Sequence, residues 1–464
     1  MASRATILLL LLAAESFAQF KQPAANNYWA NQPSGQRQQQ VTRTRTGIQR
    51  SPQVLGDVEE VDFRKPEPTT PPPNNKPPPA FSYMDRFSGK LFQKIVRRQQ
   101  QRNVVISPFS VHALLAMLYA AADGKTAEEI QEAGVFGTNA LNVAIDFERQ
   151  AKFKEFVQGA ELTLATRIYY NRRLGGVNRS YDEFAKFYYD AETVPVNMAN
   201  GKDVSDNVNA WVADKTRNKI RELVSSGDVD DQTQALLVNA VYFRGRWEHE
   251  FATKDTRPMD FRHSDGRVSQ VAMMDNDDTY ALADLPELEA TALELAYKDS
   301  ATSMLILLPN QRSSLASLEQ QLARPEFDLN RVAHSLRRQQ VRVRLPKFQI
   351  ELEQDMTEPL MQLGARQMFS PSSQLTKLLD RPVRVGKVLQ KAYIDVGEAG
   401  TEAAAASSAK IVPLSLPPKI SEVTVDRPFV FALRTPSSVL FVGHVESPTP
   451  WIHQPEERSE QYNY

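Results

Sequence analysis

From Phe81 onward, apolar residues along the chain fall into helical and strand spacings in alternation. Phe87, Leu91, Phe92 and Ile95 recur at helical intervals, which predicts an amphipathic helix over Phe81–Val96. Val111–Ala122 is apolar on nearly every side and predicts a second, more buried helix. Leu236–Phe243 is an almost wholly apolar run of strand length, and Ala301–Leu308 is another, closed by Pro309-Asn310. Val341, Val343 and Leu345 alternate with Arg342 and Arg344, as in a strand with one wet face. Phe429–Leu433 and Val439–Val445 flank Thr435-Pro436-Ser437-Ser438, which predicts a hairpin of two buried strands. No Pro-rich break and no repeat interrupts this stretch, so residues 81–449 are expected to form one mixed α+β domain, followed by a tail over 450–464.

Before Phe81 the pattern changes. Arg4 precedes an unbroken apolar run from Ile7 to Leu12, and Ser16-Phe17-Ala18 is a small-x-small cleavage site ahead of Gln19. This is the layout of a secretory signal peptide over residues 1–18, and its apolar run is too short to span a bilayer. A secreted, extracellular product is expected, with no membrane partner. Residues 19–80 are rich in Gln and Pro, including Gln38 to Gln40, Pro71 to Pro73 and Pro77 to Pro79. With few apolar side chains to offset ordering entropy, this extension is expected to be disordered. It carries Arg37, Arg43, Arg45 and Arg50 and no acid between Gln19 and Gly56. A solvated tether and an arm that binds polyanions or is trimmed by trypsin-like proteases both fit.

The full chain has 464 residues, and 55 basic against 56 acidic residues give a net charge of −1. That balance argues against a nucleic-acid or membrane-surface binder. There is no cysteine, which removes thiol catalysis, thiolate metal sites and disulfides, and a domain this large does not need disulfides. Asn178-Arg179-Ser180 is the one glycosylation sequon. The search for catalysis finds nothing. Asp123-Gly124-Lys125-Thr126 has Tyr119 where a phosphate loop needs glycine, His249-Glu250 lacks a second zinc-binding histidine, and no Gly-x-Ser-x-Gly elbow occurs. The six histidines form no ligand-spaced cluster, so no metal and no cofactor is expected. Arg97-Arg98 with Arg102, and Arg337-Arg338 with Arg342, read as solvated faces or as a heparin-like glycosaminoglycan site.

The segment Glu398–Ser415 stands out. Its alanines favour helix. Under strand parity, however, the odd positions Thr401, Ala403, Ala405, Ser407, Ala409 and Ile411 are all uncharged, while Glu402 and Lys410 are even. A strand with its odd face buried and its even face wet would bury no charge. Small side chains also suit a strand that must slide into a packed sheet.

Glu398-Ala399-Gly400-Thr401-Glu402-Ala403-Ala404-Ala405-Ala406 resembles the hinge of the reactive-centre loop in inhibitory serpins. Four further segments are similar to serpin signatures in the same order: Asn103–Ser110, Leu237–Trp247, Leu345-Pro346-Lys347-Phe348 and Asp426-Arg427-Pro428-Phe429. The resemblance implies a serpin fold, with three β-sheets, about nine helices and an exposed loop. It implies a reactive bond at Leu414–Ser415, with Lys410 as the alternative bait. It implies that Ser107, Ser110 and Asn239 lie at the shutter where the large sheet parts, that Trp247 lies at the breach where insertion begins, and that Lys347 pairs with Glu398. Gln390 replaces a histidine the family often has at the shutter.

The function this resemblance implies is suicide inhibition of chymotrypsin-like or elastase-like serine proteases through a covalent acyl complex. A monomeric inhibitor that is not itself an enzyme is expected. The Gln- and Pro-rich arm joined to a Leu–Ser bond resembles insect haemolymph serpins that restrain immune protease cascades such as Toll activation. Non-inhibitory serpins, carriers or storage proteins, are the alternative, but their hinges tend to hold bulky, charged or Pro residues.

Overall fold

The structure, a computed structural model, describes residues 83–99, 101–151, 160–324, 327–379, 381–401 and 420–452. The signal peptide and extension expected over 1–80, together with Glu402, Ala403, Ala404, Ala405, Ala406, Lys410, Leu414 and Ser415, lie outside these residues.

Nine α-helices occur among the described residues: α1 (Tyr83–Val96), α2 (Pro108–Ala121), α3 (Gly124–Gly134), α4 (Ala140–Ala151), α5 (Arg179–Tyr189), α6 (Gly201–Lys215), α7 (Leu315–Leu322), α8 (Leu329–Ser335) and α9 (Thr357–Leu363). Helix α2 begins three residues before the apolar pattern does. Ser107 caps it by accepting from the Ser110 amide at 3.3 Å, and Pro108 sits where its missing N–H costs nothing. Phe109, Leu114, Leu115 and Leu118 are fully buried, as expected for a helix that is apolar all round.

Fifteen strands, β1 to β15 in chain order, also occur among the described residues. A six-stranded sheet contains β2 (Ala160–Asn171), β3 (Glu192–Val196), β4 (Ala235–Arg246), β10 (Phe348–Asp355), β11 (Val385–Gly397) and β12 (Gly400–Thr401), in the order β10-β11-β12-β4-β2-β3. A nine-stranded ladder contains β1 (Val104–Ile106), β5 (Arg257–Arg262), β6 (Val268–Leu285), β7 (Ala290–Ala296), β8 (Ser303–Pro309), β9 (Arg337–Pro346), β13 (Ser421–Thr424), β14 (Phe429–Arg434) and β15 (Val439–Val445). The three expected sheets appear as two continuous ladders because β6 serves two of them. It pairs with β5 and β9 along most of its length and with β7 at its C-terminal end. Strands β14 and β15 form the expected hairpin and are buried throughout. Phe348 of β10 packs against Phe429 and Phe431 of β14, with ring centroids 5.7 and 5.3 Å apart, so the two ladders share a core.

One face of the six-stranded sheet is covered by α6. Val204, Val208 and Val212 pack on Leu236, Val238, Ala240 and Tyr242 of β4 and on Leu389 and Tyr393 of β11. The face of β4 and β11 that carries these residues is therefore covered by α6 and not open to solvent.

Candidate functional site: a partly opened strand junction

Strands β4 and β11 run parallel and pair directly from Val385↔Ala235 to Tyr393↔Tyr242. Above Tyr393 they part, and β12 fills the gap. Gly400 and Thr401 pair antiparallel with Arg246 and Gly245 on one side and with Gly397 and Val396 on the other. Only glycine fits at 400. Its φ is +143°, and a Cβ there would lie 2.1 Å from the Gly245 carbonyl oxygen. Thr401 is fully buried, and its hydroxyl lies 2.7 Å from the Tyr297 hydroxyl.

Trp247 clamps the turn that leads into β12. Its ring stacks on Tyr297 at 4.5 Å, its indole N–H donates to the Gly397 carbonyl at 3.0 Å, and its amide donates to the Ala399 carbonyl at 3.0 Å. The Glu398 carboxylate accepts from the Lys347 ammonium at 2.8 Å and from the Thr256 hydroxyl at 3.0 Å. Burial pushes this carboxyl up, but hydrogen bonds from Lys347 and Thr256 with the Lys347 charge outweigh it and hold it below the usual carboxylate range.

Lower down, Asn239 and Gln390 face each other across the direct β4–β11 pairing. The Gln390 amide donates to the Asn239 side-chain oxygen at 2.9 Å and to the Ser110 hydroxyl at 2.9 Å, and accepts from the Ser107 amide at 3.0 Å. Ser110 donates to Asn239 at 2.6 Å, and Asn239 donates to the Thr166 hydroxyl at 2.9 Å. The Ser107 hydroxyl donates to the Leu440 carbonyl at 2.6 Å. All these side chains are buried, so each bond made here spares an unpaired polar group a desolvation cost of about 1–3 kcal/mol. The network ties both strands to the capped start of α2.

The sequence brought Ser107, Ser110, Asn239 and Gln390 into one set and Trp247, Lys347 and Glu398 into another, and each set is contiguous in the fold. It missed Thr166, Tyr297 and Thr256. No spacing signal marks these, since each is a lone residue on an element whose partner is remote in the chain. Asn178 is the half-buried N-cap of α5, accepting from the amides of Ser180 and Tyr181 at 3.0 and 3.3 Å. The Arg337–Arg342 run is largely compensated. Arg342 and Arg344 both engage Asp275, at 2.7 and 3.3 Å, and Arg338 lies 3.6 Å from Glu248. Near Arg97, Arg98 pairs with Glu358 at 3.3 Å. Among the described residues no group of three or more His, Cys, Asp or Glu is placed to hold a metal. His112 is buried beside Phe87 and Phe136, and desolvation holds its pKa down to about 4 despite a hydrogen bond with the Gly134 carbonyl. No described helix is long and apolar enough to cross a membrane.

The serpin family model (serine protease inhibitor) matches residues 82–448. Alaserpin of Manduca sexta is 34% identical over 369 residues, which cover 78% of this chain and 93% of that protein. The leukocyte elastase inhibitor of Bos taurus is 35% identical over 384 residues, covering 78% and 98% respectively. Among solved structures, Serpin48 of the insect Tenebrio molitor superposes with a TM-score of 0.72 at 30% identity, covering 79% of this chain and 97% of that one. A parted sheet with a short strand wedged at its top thus sits in a chain whose whole folded region matches one family, and this chain belongs to the serpins.

Proposed function

We propose that the chain is a secreted suicide inhibitor of serine proteases, with Leu414–Ser415 as the bond it offers. The observation that carries this is β12. Gly400 and Thr401 already lie between β4 and β11 in antiparallel register, so the next residues have a track to follow. One step along β12 is one step back along both neighbours. Continued downward, Glu402 would meet Arg244 and Asp395 at the open end, Ala404 would come between Tyr242 and Tyr393, and Ser407 would reach Asn239 and Gln390. Lys410 would arrive beside Leu236 and Lys387, where Lys387 pairs with Asp228 at 2.8 Å. Each entering residue exchanges one parallel pairing for two antiparallel ones, and each added ladder bond is worth about 0.5–1.5 kcal/mol net.

The chemistry balances as follows. The protease serine oxygen attacks the Leu414 carbonyl carbon, the bond to the Ser415 nitrogen breaks, and that nitrogen leaves protonated as a new amino terminus. The freed strand then enters the sheet and carries the acylated protease with it before water can release it. Leu414 fits an apolar specificity pocket of the chymotrypsin or elastase type. Alanine at 403 to 406 supports inhibition over a carrier role, because none of these residues overfills either face of the junction.

The remaining assignments rest on sequence alone: a signal peptide over 1–18, an extension over 19–80, an inhibitory domain over 81–449, a tail over 450–464 and glycosylation at Asn178. So do a monomeric state, a role in an extracellular immune cascade such as Toll activation, and binding of a glycosaminoglycan. The test is to incubate the mature chain with chymotrypsin, pancreatic elastase and trypsin, and to sequence the released C-terminal fragment. A complex stable on denaturing gels with a fragment starting at Ser415 is expected. Clean cleavage without a complex would replace inhibition by the carrier reading.

A further inference from the structure

A cavity of about 220 Å³ opens between α2, α4, α5 and β2. Its inner lining is apolar. Ala113 and Met117 of α2 and Leu164 of β2 contribute to it, and Phe147 of α4 forms one wall. Phe147 stacks on Phe109 and on Tyr189, the last residue of α5, with ring centroids 4.9 Å apart in each case. A space of this size takes one aromatic ring with a short side chain, since an apolar cavity of about 150 Å³ already admits benzene.

Tyr189 lines the same cavity. It is 7% exposed, and no group among the described residues answers its hydroxyl. Burial pushes that hydroxyl well above the ordinary tyrosine value, so it stays neutral, able both to donate and to accept. A buried hydroxyl without a partner is costly, and a ligand group that met it would relieve the cost. Ser110 and Thr166 also line the cavity, but their hydroxyls already serve Asn239, at 2.6 and 2.9 Å. The mouth is acidic and aromatic. Glu148 of α4 and Asp190, the C-cap of α5, line it, and among the described residues no Lys or Arg does. Phe187 is 56% exposed there, with its ring centre 4.8 Å from that of Tyr188. An exposed aromatic face beside carboxylates attracts a cation.

We propose that this cavity is a binding site for a small aromatic amine, with the ring against Met117, Phe147 and Leu164, a ring hydroxyl on Tyr189, and the ammonium between Glu148, Asp190 and the face of Phe187. Each part of such a ligand meets a matching part of the lining. An anion of the same shape would face two carboxylates, and an amine without a ring would leave the apolar walls unfilled. Binding here draws on no residue of the reactive bond, so it goes beyond the inhibitory role proposed above.

The test titrates the full chain by calorimetry with three probes. Tyramine carries ring, hydroxyl and amine, phenethylamine lacks the hydroxyl, and hydroxyphenyl-propanoate carries a carboxylate in place of the amine. Tyramine is expected to bind with a Kd on the order of 0.1 mM, within reach of a ligand of its size. The propanoate should bind about tenfold more weakly or not at all. Tyr189→Phe should weaken tyramine by about three- to tenfold and leave phenethylamine unchanged. Asp190→Asn and Glu148→Gln should each weaken both amines by about two- to fivefold. Asparagine tolerates the left-handed backbone at 190, where φ is +52°, so that variant keeps the turn. Absence of tyramine binding in the parent, equal binding of the propanoate, or tyramine binding unchanged in Tyr189→Phe or in both acid variants would overturn the site. Equal loss of tyramine and phenethylamine in Tyr189→Phe would overturn it too, because the hydroxyl would then not be what the ligand meets.

Discussion

Gly400 rests directly on the Gly245 backbone, with no room for a single carbon atom between them. The contact holds the first residue of β12 in a left-handed conformation at the mouth of the β4–β11 gap. Gly400→Ala is therefore expected to push β12 out, at a cost of about 1–3 kcal/mol in the closed state. Thermal unfolding would measure that loss, and protease trapping should fall with it. Unchanged melting and trapping would show that β12 is dispensable.

The Lys347–Glu398 pair makes a statement about acid. The Glu398 carboxyl sits below its ordinary value in the folded chain, so its stabilisation is complete above the unfolded-state pKa of about 4.3. It is lost as pH falls through the lower folded value. Melting temperature followed downward from pH 6 should drop less steeply for Glu398→Gln than for the parent, because the variant has no such proton to take up. Identical slopes would place the acid sensitivity elsewhere.

Gln390→Leu removes the group that answers Ser107, Ser110 and Asn239 at once. The loss should be about 2–4 kcal/mol, from polar atoms left buried without partners. Chemical denaturation should show an earlier midpoint with the slope preserved. A neutral result would mean that water takes the amide's place.

Two loop substitutions separate bait from track. Leu414→Arg should move trapping from chymotrypsin to trypsin, since a cation suits a pocket with a buried aspartate. Ser407→Asp should leave the rate of cleavage by chymotrypsin unchanged but abolish the stable complex, because its carboxylate would be driven between Asn239 and Gln390. A gel assay distinguishes the two, as the first variant yields a complex with a new partner and the second only cleaved inhibitor.

The hairpin of β14 and β15 and the buried α2 were legible because apolar spacing reports burial directly. The hinge and its partners were legible through resemblance, since Lys347 and Glu398 are remote in sequence and no spacing rule joins them. Thr401, the one described residue of the odd face, is buried, and its hydroxyl meets Tyr297. That α6 covers the other face of β4 and β11 was not legible, because a strand's own residues do not reveal the helix that packs on it. The contact of Lys391 with the segment before β4 was invisible for a related reason. Glu222 takes part through its backbone carbonyl, and a carbonyl has no identity in a sequence.

The short wedge of β12 bears on timing. A gap already started at one end can only be filled from that end, one rung after another, like a zip with a single slider. No moment arises at which the whole junction must be empty, so the resistance met at any instant is that of one rung. Under the inhibition proposed above, the contest with the protease becomes a race of many small steps against a single hydrolytic one. Its outcome is decided at the slowest step, not by the total energy released.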